Sequence, residues 1–473
     1  MSFATRRKSI DALAGAREGR GLKPTLSWPH LVALGVGAIV GTGIYTLTGT
    51  SAGLAGPGVI FSFAIAGAVC ACAALAYAEM ATLIPETGSA YTYTYSVLGE
   101  IFAWVVGWSL VLEYTLVCSA VSVGWSAYAS GVMVHQLGWA IPPALLAGPW
   151  AGATAGVINL PGVLVALGVS GVLLLGARES ANINFILVLV KLTALAGFVF
   201  LTLPAFKAGH FQPLLPYGFA AHVGPDGVKR GVMAAAAIIF FAFYGFDAIS
   251  TAAEETKNPA RDLTIGIVGS MVLCTLIYMV VAAAALGASP FQAFSSSAEP
   301  LAFILRSLNH PLAASLIAGA AIVALPTVIM VFMYGQSRVF FAMARDGLLP
   351  RGLAAVSARG VPTVVTLFTG VVAATVAGFL PLNQIAALAN AGTLLAFIAT
   401  AICMMRLRVV DPARARPFRC PLPWLIGPAA VVGCLYLFSS LSLQTVEWFL
   451  IWNTIGIGVY LLYGRTKSRL ADA

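Results

Sequence analysis

The sequence predicts an all-α integral membrane protein of twelve transmembrane helices, the first and sixth of them discontinuous. Composition makes the first case: 60% of the 473 residues are hydrophobic and 9% are charged, with a mean hydropathy of +0.93, outside the range of soluble globular chains. Apolar runs of about 20 residues, the length that crosses a hydrocarbon core, recur along the whole chain. Two of them are interrupted by glycine where lipid offers the backbone no replacement partner.

Taken in order, the runs place spans at His30–Leu54, Val59–Thr82, Ile101–Tyr128, Leu160–Leu175, Asn182–Leu203 and Val232–Ala252. Six more follow at Ile265–Ala288, Leu312–Ala342, Thr363–Leu380, Gln384–Met405, Trp424–Leu441 and Val446–Tyr463. The first run is too long for a cleaved signal segment, so this span is expected to stay. The net charge is +9, and its distribution fits topology rather than nucleic-acid binding. With the amino terminus in the cytoplasm, all Lys and Arg fall on that side except Lys207, Lys229, Arg230 and Arg306 outside and Lys191 within a span. Both termini are therefore expected in the cytoplasm of a multi-pass cell-membrane protein.

No soluble domain fits between the spans. The longest other pieces are the tail 1–29 and the connections Ala129–Asn159 and Pro204–Gly231; the former connection has room for a short external helix before Pro142 and Pro143. DPARARPFRCPLPW, Asp411 to Trp424, reads as a stiff, basic connector. Six cysteines lie in apolar runs and Cys420 in this loop, so no structural disulfide is expected. His30, His135, His210, His222 and His310 sit at span ends or in loops without metal-ligand spacing. The glycines of Gly35–Gly43 follow no strand and make no nucleotide fingerprint. Neither enzyme chemistry, cofactor nor metal is expected.

The interruptions carry the functional signal. GAIVGTGIYT, Gly37 to Thr46, breaks the first span, and five spans later FFAFYGFDAIST, Phe240 to Thr251, is broken at Gly245 and followed by Asp247. Glycine is common in membrane helices for close packing alone. Breaks at corresponding places in two halves instead point to a transporter site, and five spans per half, an odd number, require opposite orientations.

Five segments resemble the amino acid–polyamine–organocation superfamily, and within it the cationic amino acid transporter family. They are GVGAIVGTGIYTLTG (Gly35–Gly49), GWSLVLEYTLVCSAVSVGWSAY (Gly107–Tyr128), FFAFYGFDAISTAAEETKNPARDLTIGI (Phe240–Ile267), YGQSRVFFAMARDGLLP (Tyr334–Pro350) and PFRCPLPW. The resemblance spans nearly the whole chain. It implies a five-plus-five inverted repeat with two extra helices, and secondary transport of amino acids. The repeats would be 30–204 and 231–405, followed by the extra spans in 424–463 and a tail at 464–473.

An amino acid zwitterion suits such breaks. A half-helix amino terminus offers free N–H groups and a positive dipole end to a carboxylate, and freed carbonyls accept an ammonium. By resemblance, Thr42 and Gly43, beside Gly41, would hold the carboxylate, and main-chain oxygens near Ile39, Val40, Phe241, Ala242 and Tyr244 the ammonium. Phe241, Tyr244 or Phe246 and residues of the third and eighth spans would wall the side chain, Val331 among them, one turn beyond Thr327. No acid lies on that turn, which favours a small neutral substrate such as alanine. A cationic amino acid or polyamine transporter or exchanger is the alternative, and a membrane sensor or channel the alternative of another class. The partners expected are substrate, proton and bilayer, with no nucleic acid; a small membrane subunit is undetermined.

Lys191 sits near the middle of the fifth span, where an ammonium costs about 2.5–3.5 kcal/mol. It is too far from the helix end to snorkel. Its expected partners are carbonyls around Gly35–Ala38 and the Thr327 hydroxyl, in the place a sodium ion takes in related folds. Lys191 is then either a proton carrier or a fixed cation mimic. Pro326 stands where a small or hydroxyl residue is expected, which weakens the match at Thr327. Glu113 is expected as a cavity acid aiding proton movement, or as a neutral packing residue. Asp247 is read as a cap of the second half-helix. Asn390 and Thr393 are read chiefly as helix–helix hydrogen bonders, and Glu254, Glu255 and Arg261 as solvated charge or gate.

Overall fold

The computed structural model describes residues 6–11, 25–152, 155–175, 181–354 and 362–470. It is an all-helical membrane protein; the one described sheet is a two-stranded hairpin, His222–Val223 with Lys229–Arg230. Among the described residues, eight helical stretches are long and apolar enough to cross a bilayer, the first of them Trp28–Leu83, and Leu160–Leu174, Thr363–Phe379 and Pro423–Ser439 are shorter apolar helices.

The first span divides in two. Helix α1 (Trp28–Ile39) starts on Ser27, whose hydroxyl pairs with His30 Nδ1 at 2.8 Å, with Pro29 in the first turn. It stops at Val40, and the chain resumes through a π turn (Gly43–Leu47) into α2 (Thr48–Ala55). Helix α3 (Val59–Leu83) follows. The next connection holds α4 (Ala90–Val97). AYTYTYSV has no helical period; it is helical because all eight residues are buried, so packing on every side overrides pattern.

Helix α5 (Glu100–Leu137) is longer than the third predicted span. It runs nine residues into the connection expected to carry a separate external helix, and ends at Gly138 with φ 67°. Helices α6 (Leu160–Leu174) and α7 (Ala181–Thr202) come next. The sixth span is broken as the sequence indicated. Helix α8 (Val232–Ile239) tightens into a 3-10 turn at Phe240–Ala242, and α9 (Phe246–Thr251) restarts after Gly245 at φ 117°.

The remaining helices are α10 (Pro259–Ala288), α11 (Phe291–Phe294), α12 (Pro300–Ser307), α13 (Pro311–Arg345), α14 (Thr363–Phe379), α15 (Leu382–Val410), α16 (Pro423–Ser439) and α17 (Leu443–Val459). A buried core joins α1, α5, α8–α10, α13 and α15. All seven cysteines are free.

Both ends of the chain meet at one face. Fully buried Glu100 accepts from Tyr95 (2.8 Å) and Tyr460 (2.7 Å), from Ser468, and pairs with Arg6. Lys8 and Tyr91 both reach Asp346 at 2.6 Å. Leu26 pairs with Thr256 as a parallel bridge, Lys257 N donating to Leu26 O at 2.8 Å, which laces the segment before α1 to the connection that follows α9.

Candidate functional site

The two breaks face each other. A Cβ added at Gly43 would overlap Ala242, and one added at Gly245 would stand 2.8 Å from Ala38 Cβ. Only glycine lets the interrupted backbones approach this closely. Between them lies a small cavity lined by Ala38, Ile39, Gly41, Thr42, Gly43, Val117, Val121, Phe241, Tyr244, Val328 and Phe332. Its room for water-sized spheres is about 10 Å³, the scale of one water molecule.

Several freed main-chain groups have side-chain partners. Tyr278 OH donates to Ile39 O at 2.6 Å, and Tyr128 OH to Tyr45 O at 2.6 Å. A carbonyl has two lone pairs, so Ile39 O keeps one. The Thr42 hydroxyl is buried without a hydrogen-bond partner, against Gly124. Asn390 joins the eighth helix to the turn beyond it: its amide donates to Ala237 O at 2.6 Å and its oxygen accepts from Tyr244 OH. Thr393 donates to Ala389 O within its own helix.

Of the residues singled out from sequence, Ile39, Gly41, Thr42, Gly43, Phe241 and Tyr244 line this cavity. Val40 and Ala242 are buried beside it without lining it, Ala242 being spent on the contact with Gly43. Phe246 points elsewhere: its ring packs on Tyr77 and Phe397 at centroid distances of 5.7 and 5.0 Å. Val331 is also off the cavity wall, where Val328 and Phe332 stand instead. One residue turns a helix by about 100°, so the face carrying Thr327 and Val331 is not the face carrying Val328 and Phe332.

Thr327's face meets Lys191. Lys191 is wholly buried, and its Nζ donates to Gly37 O at 2.8 Å and approaches Thr327 Oγ1 at 3.4 Å. The ammonium thus ties α7 to the last turn of α1 before the break and to α13. Pro326 lies inside α13 beside this point, and the helix continues through it. The carbonyl its missing N–H would have served, Ile322 O, accepts instead from Trp125 Nε1 of α5 at 2.9 Å.

Asp247, in the first turn of the second half-helix, tethers the break rather than serving as N-cap, which is Gly245: Oδ1 accepts from Gly245 N at 3.0 Å and Oδ2 from Tyr114 OH at 2.8 Å. Glu113 is fully buried, its carboxyl beside the Thr393 hydroxyl. Thr393 and Asp247 are close enough to interact with it, but it does not line the cavity. At the termini-bearing face Glu255 pairs with Arg338, Thr87 N donates to Glu254 at 3.3 Å, and Arg345 pairs with Glu86 at 3.1 Å.

Sequence reading named the third and eighth spans as wall but not Val117, Val121, Val328 and Phe332 within them, and missed Tyr278 and Trp125 as partners of freed carbonyls. The wall residues form i, i+4 pairs on α5 and α13, a spacing that marks one helix face but not which face turns inward.

The amino acid permease family matches residues 26–460. The chain is 42% identical over 470 residues to the branched-chain amino acid permease of Bacillus subtilis (strain 168), covering 98% of each. It is 37% identical over 477 residues to the methylthioribose transporter of the same organism, covering 99% of this chain and all of that one. Similarity to the vacuolar cationic amino acid transporter 2 of Arabidopsis thaliana is 39% over 410 residues, 86% of this chain and 63% of that longer protein. The chain belongs to the amino acid permease family of the amino acid–polyamine–organocation superfamily, and is a membrane transporter rather than an enzyme.

Proposed function

We propose that the protein is a proton-coupled symporter that carries small neutral amino acids, alanine among them, across the cell membrane by alternating access. The observation that carries this reading is the meeting of two interrupted helices at a pocket whose lining holds no charged side chain. In it, Thr42 and Gly43, at the start of the second half of span one, hold the carboxylate, while main-chain oxygens of Ile39, Phe241 and Tyr244 take the ammonium. Val117, Val121, Val328 and Phe332 crowd the side-chain end, which suits a small or branched apolar group. The relative named a branched-chain amino acid permease supports a neutral substrate. A cationic one would leave a charge in this wall unpaired.

Counting the stretch Trp28–Leu83 as two crossings and adding the three shorter helices gives twelve spans. Residues 30–204 and 231–405 form two inverted repeats, with the spans of 424–463 outside them. The charge distribution puts both termini in the cytoplasm. Lys191 carries the coupled proton. Charged, it holds α1 to α7 and α13 through Gly37 O and Thr327; neutral, it releases the first half-helix, and the repeat rocks.

Proteoliposome uptake of labelled alanine, leucine and arginine, with and without an imposed pH gradient, tests this for wild type and Lys191→Ala. Wild type accumulates the neutral substrates only with the gradient. Lys191→Ala retains substrate binding and loses accumulation. Preferential accumulation of arginine would reject the substrate assignment, and unchanged accumulation by Lys191→Ala would remove that residue from coupling.

A further inference from the structure

A pocket with room for about 10 Å³ of water-sized spheres must widen to take a substrate. How far it widens depends on what stands behind its wall, because protein interiors are close-packed. The wall ends at Val117 on α5 and Phe332 on α13. Tyr114 precedes Val117 and Val121 on the same face of α5, and Gly335 follows Val328 and Phe332 on the same face of α13. Neither lines the pocket. Helix α5 begins at Glu100 and α13 ends at Arg345, both at the termini-bearing face, so Tyr114 and Gly335 lie one turn beyond the wall on that side.

Tyr114 is wholly buried and bridges three elements. Its ring meets Phe332 edge to face, with centroids 5.4 Å apart and planes at 84°. On α13 the ring lies over Gly335, where a Cβ would stand 3.1 Å from Tyr114 Cε2, so the missing side chain makes the space that the ring occupies. The hydroxyl donates to Asp247 Oδ2 at 2.8 Å, and Asp247 Oδ1 in turn accepts from Gly245 N at 3.0 Å in the second break. The groove holding the ring is clamped. Gln336 Nε2 of α13 donates to Val111 O at 3.2 Å and to Thr115 Oγ1 at 2.8 Å, tying the two helices on either side of Tyr114. Phe332 is therefore backed by a ring that is fixed at its edge, its face and its hydroxyl.

We propose that Tyr114 sets the upper size of the substrate side chain: it is a positioning residue that acts through Phe332 and closes the pocket on the termini-bearing side. A small or branched aliphatic side chain is held with Phe332 resting on Tyr114. An aromatic one needs Phe332 to move toward the termini-bearing face, into the volume that the Tyr114 ring fills. Size selection thus lies with a residue one layer behind the wall. This deepens the neutral-substrate reading above and rests on it; it does not rest on proton coupling.

Exchange of labelled alanine, leucine and phenylalanine in proteoliposomes of the full chain, with no imposed gradient, tests the proposal. The readout is the ratio of kcat/KM values between substrates, which a merely structural role would not move. Wild type is expected to favour alanine and leucine over phenylalanine by about tenfold or more, the scale on which apolar pockets discriminate by size. Tyr114→Ala is expected to raise phenylalanine relative to alanine by about tenfold, and Tyr114→Phe, which loses the same bond to Asp247 but keeps the ring, to stay within about twofold of the wild-type ratio. Saturable alanine binding reports folding. Should the void left by alanine prevent it, Tyr114→Leu makes the same comparison with a smaller void and an intermediate ratio. A ratio unchanged in these variants, with every substrate slowed alike, would overturn the proposal, as would a wild type that takes phenylalanine as readily as alanine. A wild type that exchanges none of the three would reject the neutral-substrate reading itself, and the size limit with it.

Discussion

Glu79 shows how one charge organises a loop. It ends α3 almost wholly buried, accepts from Cys420 N at 2.8 Å, and pairs with Arg408 and with Arg416 at 3.2 Å. The basic connector is thereby folded onto the protein rather than left free. Cys420 is buried with it, and burial first, then the Glu79 carboxylate, against the opposing Arg408, pushes its thiol up to about 12 from an ordinary 9.0. A maleimide needs thiolate, so at pH 8 this cysteine should react roughly a thousandfold more slowly than a free one, with the rate climbing as pH rises toward that value. Glu79→Gln breaks the buried pair at a cost of about 3 kcal/mol. Site-resolved labelling by mass spectrometry should then show Cys420 becoming reactive. A fast thiol in wild type would show that the loop is not held this way. The sequence marked this segment as stiff and basic; it held no sign that a glutamate some 330 residues earlier would anchor it.

At the scale of elements, the two breaks are places where missing side chains do the positioning. Gly43 lies against Ala242, and Gly245 combines a positive φ with contact on Ala38. Gly43→Ala must push the first break off the second, at about 1–3 kcal/mol for overpacking. Gly245→Ala adds backbone strain of similar size. Both variants should abolish saturable substrate binding, measured by scintillation proximity, and lower the melting temperature, Gly245→Ala more. Normal binding by either would mean that the close approach is not needed. The breaks were legible because glycine interrupts an apolar run conspicuously. The wall was not: valines and a phenylalanine at Val117, Val121, Val328 and Phe332 look like any lipid-facing or packed helix. Val331 was assigned to it on spacing from Thr327, one residue out of phase with the face that turned inward.

At the scale of the molecule, charge is gathered at the face where the termini meet. Arg345 with Glu86, Arg338 with Glu255, and the Leu26–Thr256 bridge tie the ends of α1, α9 and α13 there. Opening the pocket toward this side must break these contacts. A partly buried pair of this kind is worth about 1 kcal/mol, roughly a fivefold population shift. Arg345→Gln should accordingly speed modification of an Ile39→Cys variant by an impermeant thiol reagent from that side about fivefold. No change would show that the pair does not hold the face shut.

The sequence by itself determined the bilayer as solvent, the order of apolar segments, the two interruptions and the buried lysine. Each is set by local composition, because hydrocarbon enforces helices and penalises exposed backbone or charge wherever they occur. Only the tertiary structure decided which helix faces meet. It placed Lys191 against Gly37 O, turned Phe246 toward Tyr77, made a helix of Ala90–Val97, and buried Glu113 beside Thr393, off the cavity wall. Rotation about a helix axis is fixed by packing between distant segments, and a uniformly apolar surface carries no pattern from which to read it.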